Sequence, residues 1–154
     1  MRSNIPHLFN LLLVVRHQPR HDLLDMLITR LSDSVYVRIR KNHVTVRHPR
    51  SRRDVALEAV KPFTTTRLLV GDLRAAHETF LAALRSTVPT SWFRPSPVVV
   101  VHPLEMTEGG LSEVEERILK EVFLGLGAAK AVVWVGPELT DAEVEAKAFE
   151  KSAV

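Results

Sequence analysis

Between Arg38 and Arg53 the chain carries seven lysines and arginines and no acid. Guanidinium groups at that density suit phosphate chemistry, because each presents a planar fork of donors that matches an oxyanion. Arg38, Arg40, Arg47 and Arg50 are the expected contacts to an anionic partner, with Arg52 and Arg53 beside them. A nucleic-acid binder adds aromatic side chains for stacking, or a reading helix. Tyr36 alone shares the strand face of these arginines, so nucleic acid is the secondary expectation. From Glu105 onward acids outnumber bases. A basic stretch beside an acidic part also suits a protein partner or attraction between two copies, and a solvated strand edge explains it without any partner.

Other residues that could do chemistry lack companions. His17, His21 and Asp25 are spaced four apart, which is compatible with a metal site on one helix face. Pro19 interrupts that helix, so no metal is expected. His102 ends a valine-rich strand, where active sites lie in open α/β sheets. No nucleophile or acid stands at motif spacing to it, so it reads as a loop histidine. The chain has no cysteine, which excludes disulfides, thiolate metal sites and cysteine nucleophiles.

These residues sit on recognisable elements. Val98-Val99-Val100-Val101 does not alternate, so both faces of that strand are buried, as in a central strand of a covered, largely parallel sheet. A helix from Ser112 to about Leu126 and a buried strand at Ala131–Val135 complete a crossover unit. Upstream, Val35, Val37 and Ile39 alternate with Tyr36, Arg38 and Arg40. Lys41-Asn42 is the expected hairpin turn, followed by a strand around Val44 and Val46 and a third over Asp54–Val60. Arg67–Val70 reads as a short extended piece. Asp72 caps a helix whose apolar stripe is Ala75, Ala76, Phe80, Leu81 and Leu84. Thr140 and Glu143 form a capping box for a last helix. The order β-β-β-α-β-α-β-α, with helices on both faces of a mixed sheet, resembles the ribonuclease H-like α/β fold. Nucleases of that class carry an acid on the first strand for a metal ion. Val35–Arg40 has none, and arginines would repel the cation.

The length of 154 residues suits one domain. Residues 1–34 read as a helical N-terminal extension, with helices over Leu8–Val15 and Asp22–Leu31, and 35–154 as the domain. Leu8–Val15 is too short to span a bilayer, though with Arg16 it could make a peripheral membrane contact. The stretch lacks a signal-peptide cleavage pattern, so a cytoplasmic protein is expected.

Lys61 to Val135 resembles the N-terminal half of MreB, the bacterial actin homologue that determines rod shape. The likeness rests on Lys61-Pro62, Gly71-Asp72, Phe93-Arg94-Pro95 before the valines, Ser112-Glu113-Val114-Glu115-Glu116-Arg117 opening a helix, and Gly127 before the next buried strand. The resemblance implies an actin-type ATPase subdomain, and it puts Glu115 at the position that orients the attacking water. It also exposes what is missing. The family's phosphate-holding hairpin Asp-Leu-Gly-Thr corresponds to Ile39-Arg40-Lys41-Asn42-His43, which has no Gly and no Asp. The expectation is therefore an MreB-like protein without catalytic residues, nucleotide, metal or cofactor. It would act through protein contacts in cell shape or the cytoskeleton, as a homodimer using residues 8–31. A nucleic-acid-binding domain or a residual nucleotide-binding ATPase fragment are the alternatives.

Overall fold

The computed structural model describes residues 32–88 and 96–150. The expected helices within residues 1–31, the His17/His21/Asp25 set and Phe93-Arg94-Pro95 lie outside the described residues. Five strands form one sheet in the order β3-β2-β1-β4-β5. They are β1 (Ser34–Arg40), β2 (His43–His48), β3 (Arg53–Glu58), β4 (Val98–Pro103) and β5 (Lys130–Val133). β1, β2 and β3 form an antiparallel meander. β4 lies parallel to β1, with Val35 opposite Val99, and β5 lies parallel to β4, with Val100 opposite Val132. Every residue of β4 is buried, as an unbroken valine run requires.

Among the described residues three helices cover the sheet: α1 (Leu73–Thr87), α2 (Glu113–Gly125) and α3 (Asp141–Phe149). α1 and α2 pack on the face that carries Val35, Val37, Ile39, Val99 and Val101. There the Phe80 ring meets Phe63 edge-on at 5.3 Å and lies parallel to Phe123 at 5.2 Å. α3 covers part of the other face, where Val144 and Ala148 pack with Tyr36, Val98 and Val100. Burial on both sides explains why the valine strand tolerates no polar residue before His102.

Local chemistry starts and stops each element. Asn42 closes the two-residue hairpin at φ 55°, a left-handed conformation that Asn adopts more readily than other non-glycine residues. Asp72 Oδ1 accepts from the amides of Arg74 and Ala75, both at 3.0 Å, and starts α1. Ser112 with Glu115, and Thr140 with Glu143, make reciprocal capping boxes at the starts of α2 and α3. Gly127, at φ 96°, ends the α2 turn in the left-handed region that glycine enters without strain.

Three boundaries differ from the sequence reading. β3 ends at Glu58, where the Ala59 amide donates back to the Asn42 carbonyl at 2.8 Å, and Val60 beyond it is 98% exposed. β5 ends at Val133. Arg67–Val70 is irregular rather than extended, because Thr65 turns the chain by bonding Leu68 through both its backbone amide and its hydroxyl. No helix among the described residues is long and apolar enough to cross a membrane.

Candidate functional site at the carboxyl ends of β1 and β4

The parallel pairing of β1 with β4 sets Arg38 opposite His102, on the sheet face that α3 only partly covers. Tyr36, two residues before Arg38, points the same way. His102 belongs to β4 and is buried, so the loop placement read from the sequence is corrected; the strand runs past the valines to Pro103.

A chain of hydrogen bonds runs through these two side chains. The Leu139 amide donates to the Tyr36 hydroxyl at 3.2 Å. The Tyr36 hydroxyl lies 2.5 Å from His102 Nδ1, and His102 Nε2 lies 2.9 Å from the Gly136 carbonyl. A carbonyl only accepts, so Nε2 carries the ring proton and Nδ1 accepts from Tyr36. Every polar atom in this relay is satisfied with both residues neutral. Burial pushes the Tyr36 hydroxyl pKa up, and burial pushes the His102 pKa down, although the Gly136 carbonyl opposes the second shift. Both shifts favour the neutral relay. It cross-links β1, β4 and the β5–α3 connection.

Two guanidiniums flank the Tyr36 ring, Arg38 at 5.6 Å and Arg47 at 5.2 Å from its centroid. Arg38 pairs with Asp54 at 3.1 Å and with Glu138 at 3.5 Å. Arg47 pairs with Asp141 at 2.9 Å and donates to the Leu139 carbonyl at 2.6 Å. A cation therefore sits on β1 at the place where a two-metal nuclease would need an acid.

The hairpin next to this network is occupied as well. The Lys41 amide donates to Glu105 Oε2 at 2.6 Å, and the same carboxylate lies 3.8 Å from Arg40. The Asn42 amide donates to the Thr64 hydroxyl at 3.0 Å, and the Thr64 amide returns a bond to Asn42 Oδ1 at 2.8 Å. Backbone amides that could cradle a phosphate are held by the chain's own oxygens.

Arg50 stands at the opposite end of the sheet, 2.7 Å from Asp33 Oδ1. Asp33 Oδ2 also lies 3.4 Å from His48 Nε2, and His48 Nδ1 lies 2.7 Å from Ser51 Oγ. This cluster ties the start of β1 to the end of β2. The four arginines singled out as anion contacts are thus divided. Arg38 and Arg47 share the Tyr36 site, Arg40 sits at the hairpin, Arg50 is remote, and each has an acidic partner. Those partners, Asp33, Asp54, Glu105, Glu138 and Asp141, escaped the sequence reading because they come from other elements at no fixed spacing. Glu115 accepts from the Ser112 amide at 2.9 Å and from its hydroxyl at 2.6 Å. These bonds hold its pKa below the usual carboxylate value, and its role is to cap α2. Among the described residues, no group of three His, Asp or Glu side chains is placed to hold a metal ion.

The strands, their pairing and the two covered faces define a small α/β domain with a five-stranded mixed sheet and three helices among the described residues. The chain is 41% identical over 96 residues to the uncharacterized protein YjaA of Escherichia coli (strain K12), a match that covers 59% of this chain and 74% of that protein. It belongs to the family of that protein. No protein-family model matches the chain, and no solved structure matches it.

These comparisons overturn the MreB resemblance, and the expected role in cell shape and the cytoskeleton, which rested on it, is withdrawn with it. Several of the letters behind the resemblance have local physical reasons. The valine run is a strand buried on both faces, Ser112 and Glu115 are a helix cap, and Gly127 is a helix stop. Gly71 is required because a Cβ there would lie 2.3 Å from Thr65 Cγ2. A strand–helix–strand crossover in another family meets similar demands with similar residues.

Proposed function

We propose that this is a cytoplasmic, non-catalytic protein that works through contacts with other proteins. The observation that carries this reading is the closure of both chemistry-bearing places by the chain's own side chains. At the ends of β1 and β4, Arg38 is neutralised by Asp54 and Glu138, while Tyr36 and His102 complete each other's hydrogen bonds. At the hairpin, Glu105 and Thr64 hold the amides of Lys41 and Asn42. Substrate, metal or phosphate would have to displace these partners at the cost of leaving charged groups unpaired. Surface remains available to partners, including the exposed apolar residues Val60, Leu73 and Val114. The finer fold reading, a ribonuclease H-like sheet, is supported by the strand order β3-β2-β1-β4-β5 in which β2 alone runs against the other four strands.

Calorimetric titration with ATP and magnesium at millimolar concentration tests the reading. No saturable heat is expected, and saturable micromolar binding would refute it. Sedimentation over a range of protein concentrations tests self-association as one form of protein contact. A second reading, nucleic-acid binding, draws on Arg52 and Arg53, which are exposed at the β2–β3 tip. Salt-sensitive binding of duplex DNA that is lost in Arg52→Ala/Arg53→Ala would favour it.

A further inference from the structure

An open groove of about 480 Å³ runs between α3 and the segment after β5. Trp134, Pro137, Leu139 and Ala146 supply its apolar wall, and Glu138, Glu143, Glu150 and Lys147 its polar rim. Glu143 is held in the α3 capping box, Glu138 shares Arg38 with Asp54, and Glu150 bonds Lys147, so the acids around the groove still outnumber its cations and favour positive charge.

The Trp134 ring is set in place before any ligand arrives. Its indole Nε1 donates to the Pro137 carbonyl at 2.8 Å. Gly136 lets the ring lie against the backbone, because a Cβ there would come within 2.6 Å of Trp134 Cζ2. The ring face already holds a cation, since Lys147 Nζ sits 4.8 Å from its centroid and 2.9 Å from Glu150 Oε2. An aromatic face with a carboxylate beside it recognises ammonium and guanidinium groups through the ring quadrupole and opposite charge.

We infer that this groove binds a lysine or arginine side chain, flanked by apolar residues, on a protein partner. The incoming cation replaces Lys147 Nζ over Trp134, and its apolar neighbours lie against Pro137, Leu139 and Ala146. Lys147 then acts as an internal competitor that keeps the unliganded groove closed to weaker ligands. This inference rests on the protein-contact reading and gives the partner a chemistry.

The test uses the full chain and two short peptides that differ at one position, leucine-lysine-leucine and leucine-norleucine-leucine between alanine flanks. Binding at millimolar peptide is followed by the indole N–H resonance of Trp134, with Trp92 as internal reference. The lysine peptide should shift the Trp134 signal saturably and the norleucine peptide should not. Lys147→Met should tighten the lysine peptide by roughly two- to fivefold, the worth of one exposed cation–π contact. Trp134→Phe, which keeps an aromatic wall with a weaker quadrupole but removes the indole probe, should loosen it, as read by calorimetric titration of the peptide. Equal binding of both peptides, no shift at Trp134, or weaker binding by Lys147→Met would each overturn the inference. Such a failure, with magnesium-ATP still not bound, would move the partner site elsewhere and leave the non-catalytic reading standing.

Discussion

At the scale of single residues, Tyr36 and His102 hold the most information. Each is polar, buried and paired with the other, and together they bond backbone groups of Gly136 and Leu139. Replacing His102 with Phe leaves the proton of the buried Tyr36 hydroxyl without an acceptor, while the Leu139 amide still donates to its oxygen. A loss of about 1–3 kcal/mol for this buried group is expected, read as a lower urea midpoint. The pH dependence follows from the lowered pKa of His102. In the unfolded chain the ring takes a proton as pH falls through about 6.5, while in the folded chain it stays neutral to lower pH. The unfolded state therefore binds more protons in that window, so stability decreases as pH drops below about 6.5 and is flat in this group above it. His102→Gln keeps a donor and an acceptor but does not titrate, and a series of urea midpoints should show a shallower acid-side slope than in the parent. The letters near His102 offered only a histidine at a strand end. Its partner is on a strand paired across the sheet, and such pairing has no signature in spacing.

At the scale of elements, the sequence was most legible where a local rule applies. Thr140 and Glu143 stand at capping-box spacing, and the side chains make that box. The same spacing occurs at Ser112 and Glu115. Ser112→Ala should cost about 1 kcal/mol, measured by chemical denaturation. The hairpin offers a sharper comparison. Asn42→Gly keeps the left-handed turn but removes the Oδ1 that accepts from the Thr64 amide, whereas Asn42→Ala loses both. The alanine variant should be the less stable of the two by roughly 1 kcal/mol. Strand ends were the least legible. The exit of β3 is set by where β2 stops offering partners, not by the propensity of Val60, whereas β5 leaves β4 after Val133 although β4 runs on to Pro103. The Arg67–Val70 segment failed for a related reason, since a single Thr65 turn outweighs a run of residues that favours extension.

At the scale of the whole molecule, the valine run specified more than any motif did. Its burial on both faces required helices above and below and a strand on each side, which is the arrangement found. Val100→Asp should abolish the cooperative unfolding transition seen by circular dichroism, because a lone carboxylate in that layer has no partner. Partners and function were much less legible. The seven basic residues between Arg38 and Arg53 looked like a common surface. The folded sheet splits them between its two ends and pairs the four singled out with acids.

The parallel pairing of β1 with β4, Ser34 opposite Val98, also dictates an order of events during synthesis. The β1–β3 meander leaves the ribosome first and can close through its short turns. Its inner edge, the strand carrying Tyr36, then stays unpaired until β4 has been translated, an interval on the order of several seconds at usual elongation rates. During that time β1 is an open edge on a half-built sheet, the state in which nascent chains pair wrongly. Slow elongation or high expression should therefore divert this protein into aggregates at the meander stage. Stalled nascent chains ending before Val98 should be protease-sensitive at Val35–Ile39, and chains that extend past α2 and β5 should be resistant there.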